Sequence, residues 1–178
     1  ANELRFPFKR RWLLGLWKRL FFEPGQFVAD ASRSDEWNRG AYLVEGLGHC
    51  GACHTPRNFL GAEDREWALT GATYLHTHGD GRVRAWSSTN LTSAPSGLGS
   101  WSVEDIAEYL TTGVSARAGV FGPMNEVVLN STRHLSAADA RAVAVYLKSL
   151  PAKEADSGKP ADEKLRQAGA IQYDIHCG

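Results

Sequence analysis

Apolar residues recur at helical spacing in five stretches of the chain, separated by polar segments rich in Gly, Ser, Thr and Pro. In the first, Trp12, Leu13, Leu16, Trp17 and Leu20 share one face and Arg11, Lys18 and Arg19 the other, which predicts a basic amphipathic helix. A second helix begins near Ser34 and sets Trp37, Ala41, Val44 and Leu47 on one side, with Gly40 suited to a close crossing. The third is marked twice: Ser102-Val-Glu-Asp105 reads as a capping box, and Trp101 with Ile106 as a hydrophobic staple. It carries Ile106, Tyr109 and Leu110 and stops at Gly113, a residue suited to the left-handed position after a helix. The fourth repeats the device with Ser136-Ala-Ala-Asp139, aligns Val143, Tyr146, Leu147 and Leu150, and ends at Pro151. A fifth, from about Ala161, carries Leu165, Ala168, Ile171 and Ile175. Residues 54–100 and 113–134 show no such period, and loops that long are unusual in a compact domain unless they wrap a ligand.

This pattern divides the chain into a basic, aromatic connector at 1–34, a complete domain at 35–152, and a linker with the start of a further unit at 153–178. With 43% apolar residues the middle part can bury a core. Twenty Lys and Arg balance twenty Asp and Glu, so no global charge points to nucleic acid. Residues 1–20 depart from that balance: Arg5, Lys9, Arg10, Arg11, Lys18 and Arg19 face Glu3 alone. Residues 9–22 suit packing on a neighbouring domain, and a basic face bearing Trp and Phe also suits contact with a membrane surface. No apolar run reaches the ~20 residues that span a bilayer.

The chemistry is concentrated in Cys50-Gly-Ala-Cys53-His54. Two thiols at this spacing followed by histidine are how a chain takes on haem c: the thiols bond to the porphyrin vinyl groups and the histidine ligates the iron. His54 is therefore the expected proximal ligand, with its other ring nitrogen donating to a carbonyl that fixes the tautomer. Zinc would need two more ligands, and the domain has no second Cys pair. A thioredoxin-like pair would need a strand-helix-strand setting that the periodicity does not show. Met124, the only methionine, stands in the turn-prone Phe121-Gly-Pro-Met-Asn125 and is the expected sixth ligand, a neutral sulfur that favours ferrous iron and raises the potential. Arg57 is a candidate to neutralise a haem propionate, and Trp86 and Asn90 lie in a polar loop that could hydrogen-bond the propionates or the Met124 loop. His49 adjoins Cys50 too closely to reach an open face of the same haem, and His76, His78 and His134 read as surface or structural residues.

Cys50 to Asn58, the Trp86–Thr92 loop, Gly99-Ser-Trp-Ser102, Gly122-Pro-Met124 and Ala144-Val-Tyr-Leu-Lys-Ser-Leu-Pro151 together resemble the middle domain of triple-haem cytochrome c subunits. Those subunits serve bacterial membrane-bound dehydrogenases of alcohols, gluconate or related polyols, and Leu4 to Gly25 is similar to the connector after their first haem domain. The resemblance implies an all-α, class I cytochrome c-like domain with three main helices and long haem-wrapping loops, holding one covalent haem c. It also implies a periplasmic setting at the inner membrane, a dehydrogenase catalytic subunit as donor, neighbouring haem domains, and quinone or another cytochrome as acceptor. Cytochrome subunits of molybdenum-type dehydrogenases share similar segments and leave the donor open. The ending Gly169 to Gly178 resembles the opening helix of another cytochrome c domain, with Cys177 as the start of a second haem motif; read plainly, it is a helix ending in a free thiol. The segment is thus expected to come from a longer, multihaem chain, with a leader upstream. Two functions are distinguished: an electron carrier with a saturated iron and no catalysis of its own, or a haem enzyme, such as a peroxidase or a sulfur-compound oxidising cytochrome, with a labile sixth site.

Overall fold

The computed structural model describes residues 10–77, 81–154 and 162–176, so the readings of His78 and Cys177 lie outside the described residues. The elements are α1 (Arg11–Phe21), α2 (Asp35–Ala41), α3 (Gly51–His54), β1 (Ala72–Thr77), β2 (Val83–Ser88), α4 (Val103–Thr112), α5 (Pro123–Asn130), α6 (Ala137–Ser149) and α7 (Glu163–His176). Between α2 and α3 the chain widens into a π-helical turn over Tyr42–Leu47, and Cys50 N–H closes it by donating to the Val44 carbonyl at 3.0 Å.

The core forms where α2 and α4 pack on α6. It holds Ala41, Val44, Ile106, Val143, Ala144 and Leu147, with the Tyr146 ring at its edge. Helices approach as closely as their smallest residues allow, and here that residue is Gly40. A Cβ on it would lie 2.0 Å from the Ala142 carbonyl oxygen and 2.8 Å from Tyr146 Cβ. The crossing is pinned outside the core by Arg39, whose Nε and Nη2 reach Asp139 at 2.7 and 3.1 Å. Arg141 on α6 adds pairs to Glu36 on α2 at 3.1 Å and to Glu104 on α4 at 3.0 Å.

The helix ends follow the local chemistry. Ser34 caps α2, Ser102 and Asp105 form the reciprocal capping box of α4, and Gly113 ends α4 at φ 82°. Ser136 caps α6 through Asp139 N–H, while the Asp139 carboxylate goes to Arg39 and does not close a second box.

The chain is mainly helical, compatible with a cytochrome c-like domain, but two segments expected to be loops are ordered, which amends the all-α, three-helix reading. Residues 72–88 contain an antiparallel hairpin with Tyr74 opposite Trp86 and Ala72 opposite Ser88. Its apolar positions Leu75 and Val83 are exposed while Ala72, Tyr74, Trp86 and Ser88 are half-buried, so the strands alternate in burial but their apolar residues do not follow the alternation by which a half-buried strand is read. The expected loop around Met124 is the first turn of α5, which opens with Pro123 at a position where a missing N–H costs nothing.

α1 has no fully buried residue. Leu13, Trp17 and Phe21 are half-buried, and Trp17 Nε1 donates to the Leu60 carbonyl at 3.0 Å, while Trp12, Leu16 and Leu20 are exposed. α7 also has no buried side chain, and no helix of the described residues is long and apolar enough to cross a membrane.

Candidate functional site

The haem-type motif is held by its backbone. Gly71 N–H donates to the His54 carbonyl at 2.8 Å, and the buried Thr55 hydroxyl accepts from Leu69 N–H at 3.0 Å. Ser88, at the end of β2, donates its hydroxyl to the Cys53 carbonyl. The two thiols are separate and not joined as a disulfide: Cys50 is half-buried and Cys53 exposed. Burial pushes the Cys50 thiol above its ordinary pKa, so it is held as the neutral thiol.

His54 has a defined orientation. Its Nδ1 lies 2.8 Å from the Thr89 carbonyl oxygen, and because a carbonyl only accepts, Nδ1 carries the hydrogen. That leaves the Nε2 lone pair for a metal. Burial lowers the imidazole pKa and keeps the ring neutral, against the smaller opposing effect of the Thr89 bond. Neutral histidine is the form that ligates iron.

Trp86, three residues before Thr89, lies against Gly122, two residues before Met124. Trp86 and Thr89 are about 10 Å apart along an extended strand. The six-membered ring of the indole lies against Gly122, where a Cβ would be 2.5 Å from Cζ3 and 2.8 Å from Cη2. Its Nε1 is buried and has no hydrogen-bond partner among the described residues. Such an orphaned donor costs roughly 1–3 kcal/mol unless something accepts from it, and a haem propionate is an acceptor of the right kind. Met124 is half-buried at the second position of α5. The neutral, oriented imidazole beside two separate thiols and the unsatisfied indole N–H both fit haem c.

Two expected propionate contacts are used otherwise. Arg57 donates Nη1 to the Gly61 carbonyl at 2.8 Å and Nη2 to the Ala52 carbonyl at 3.1 Å, tying the loop after the motif back onto α3. Asn90 is buried, accepts from Thr92 N–H at 2.8 Å and donates to the Lys153 carbonyl at 2.8 Å and the Ser96 hydroxyl at 3.2 Å. Its amide is satisfied within the chain, so it joins the 90–98 loop to the segment after α6. Thr89 and Ser88, which no sequence pattern singles out, supply the contacts that orient the motif. No residue-type signal marks a main-chain carbonyl, although Thr89 lies inside the Trp86–Thr92 loop.

Among the remaining histidines, His49 adopts φ 33° and lines a cleft of about 930 Å³ together with Glu45, Ala52 and Tyr146. His134 sits exposed in a 3₁₀ turn. Among the described residues no group of three or more His, Cys, Asp and Glu side chains could hold a metal ion.

No family model matches the chain. Curated relatives do. It is 45% identical over 160 residues to the fructose dehydrogenase cytochrome subunit of Gluconobacter japonicus, covering 89% of this chain and 31% of that protein. It is 42% identical over 154 residues to the cytochrome c subunit of the quinone-type alcohol dehydrogenase of Gluconobacter oxydans, covering 85% of this chain and 32% of that one. With the gluconate 2-dehydrogenase cytochrome c subunit of Pantoea cypripedii it shares 38% identity over 156 residues, 86% of this chain and 35% of the relative. The chain thus spans about a third of the length of these three proteins. At this level of identity, over most of its own length, the chain is homologous to one segment of dehydrogenase cytochrome subunits.

Proposed function

We propose that the chain is a c-type cytochrome domain that relays electrons, with Cys50 and Cys53 holding one haem c covalently and His54 and Met124 as its axial ligands. The observation that carries this reading is the imidazole of His54, fixed by Thr89 with Nε2 free, one residue from a thiol whose partner is three residues upstream. When bound, the haem supplies a one-electron ferric/ferrous couple. The chain's own residues hold and tune it. Thr89 keeps His54 in one tautomer and raises its basicity, Met124 offers a neutral thioether, and Trp86 Nε1 offers a hydrogen bond to a propionate.

The relatives support a dehydrogenase as the partner. On this proposal electrons arrive from a dehydrogenase catalytic subunit, the kind of partner that the fructose and alcohol relatives' names carry, and leave to quinone or another cytochrome, in the periplasm at the inner membrane. In this reading residues 1–34 connect, 35–152 are the haem domain, and 153–178 lead to a neighbouring haem domain. The exposed Trp12, Leu16 and Leu20 of α1, bordered by Arg11, Lys18 and Arg19 with no acidic residue in the helix, suit contact with an anionic membrane surface.

Optical titration of the haem-loaded chain tests the ligand set. A low-spin spectrum unmoved by modest cyanide or carbon monoxide is expected. Met124→Ala should turn the haem high-spin and lower its potential by tens to hundreds of millivolts, part of the ~0.8 V that axial ligands span. A wild-type haem that is high-spin and readily ligated would instead support a haem enzyme with a labile sixth site.

A further inference from the structure

β2 and the residue after it touch both sides of the site. At the far end, Thr89 orients His54 at 2.8 Å and Ser88 holds the Cys53 carbonyl. Near the middle, Trp86 stands against Gly122. Gly122 is the N-cap of α5, with φ 60° and ψ −146°, and has no side chain with which to cap it. The start of that helix is therefore placed by packing: the indole lies against Gly122, and Val128 of the helix itself is buried further along. The indole faces Gly122 with Cζ3, Cη2 and Cε3, while its unpaired Nε1 belongs to the other ring of the same rigid plane. Arg84 holds its guanidinium 5.7 Å from the Trp86 ring centroid, and Tyr74 is the cross-strand neighbour.

We propose that Trp86 is a positioning residue: its ring is the wall against which Gly122 and the first turn of α5 rest, and it thereby fixes where the Met124 thioether stands relative to His54. This rests on the reading of His54 and Met124 as ligands. Because Trp86 and Thr89 belong to one short extended segment, a displacement of that segment moves the seats of both ligands together. Gly122 is required twice, since φ 60° strains any other L-residue and a Cβ would enter the indole ring.

The test separates these two requirements. In the haem-loaded chain, Gly122→Ala should push α5 and the indole apart. The expected result is loss of the ferric methionine-to-iron charge-transfer band and at least tenfold tighter cyanide binding. Trp86→Phe, which shortens the ring, gives the added methyl room. The double variant Gly122→Ala/Trp86→Phe should regain the band and weak cyanide binding, although the backbone strain at 122 persists and keeps its melting temperature low. Should Gly122→Ala not accept haem, Trp86→Leu alone serves: removal of the wall should tighten cyanide binding about tenfold. The proposal is overturned if Gly122→Ala keeps the wild-type band and cyanide affinity, if the double variant is no better than the single, or if Trp86→Leu leaves cyanide affinity unchanged. Absence of the band in the wild-type chain would remove the methionine ligation on which the proposal rests, and so is distinguishable from a failure of the wall alone.

Discussion

The two candidate ligands are held by different forces. Around His54 the restraints are directional: a ring hydrogen bond to Thr89, a main-chain bond from Gly71, the Ser88 hydroxyl on Cys53, and a buried Thr55 bonded to Leu69. Met124 is a half-buried thioether in the first turn of a helix without a side-chain cap, close to an exposed Phe121 and two residues after Gly122, which lies against the Trp86 ring. Directional bonds fix one orientation and fail abruptly when a partner is lost, whereas packing yields by degrees. On the proposed ligand set, the His54 side would be where the haem is gained or lost, and the Met124 side where its properties are adjusted.

The largest effect expected on this contrast is at the thiols. Replacement of both Cys50 and Cys53 by Ala should abolish covalent attachment, so that haem staining of the denatured chain disappears. Met124→Ala, by comparison, should retain full staining and change only spectrum and potential. If the two classes of variant behaved alike, the division between the sides would not hold.

A smaller effect is expected at Ser88. Its hydroxyl donates to the Cys53 carbonyl and lies 3.0 Å from the Ala72 carbonyl, and it accepts from Ala72 N–H at 3.1 Å, joining the motif to the hairpin. Ser88→Ala leaves these groups partly unsatisfied, at roughly 1–3 kcal/mol. For a domain of this size that lowers the melting temperature by several degrees, about 2–4 °C per kcal/mol. Differential scanning calorimetry should show the loss while the methionine band persists; disappearance of the band would mean that the two sides are tightly coupled through β2.

What is legible in the sequence is chemistry written in adjacent residues. Cys50, Cys53 and His54 are bound to each other by spacing, and the cap at Ser102 and the stop at Gly113 are each decided within a few positions. Gly40 is readable because a small residue on an otherwise apolar helical face has few other uses, and it does meet α6. The hairpin is not legible, since Leu75 and Val83 face outward and a serine, Ser88, faces inward, so the apolar residues do not mark the inner face. Thr89 is hidden for another reason: its contribution is a carbonyl that every residue type possesses. Arg57 and Asn90 lie near the motif and its loop, yet most of their hydrogen bonds go to main-chain groups, because polar side chains in an irregular segment are taken first by the backbone around them. Met124 can be read as a ligand by type, while the helix that carries it starts on a Gly-Pro pair that also reads as a turn.

The smallest expected effect again falls on the His54 side. Tyr146 on α6 donates its hydroxyl to Glu45 in the π-helical turn, one residue after the Val44 carbonyl that receives Cys50 N–H. Burial first, then the Glu45 carboxylate, pushes the phenol well above its ordinary value, so the folded chain retains the proton longer than the unfolded chain does. The stabilisation is complete below the unfolded phenol's pKa of ~10 and is lost progressively as pH rises above it, because the unfolded state ionises first. Tyr146→Phe should remove about 1 kcal/mol at neutral pH, the net worth of one hydrogen bond. It should also flatten the decline in stability above pH ~10 relative to wild type. Tyr74 and Tyr109 are also raised by burial and contribute to the decline in both proteins, so the difference between the two urea-unfolding curves isolates Tyr146. Equal slopes in the two proteins would show that the Tyr146–Glu45 bond does not steady the approach to Cys50, and would leave the motif to the Ser88 and Thr89 contacts alone.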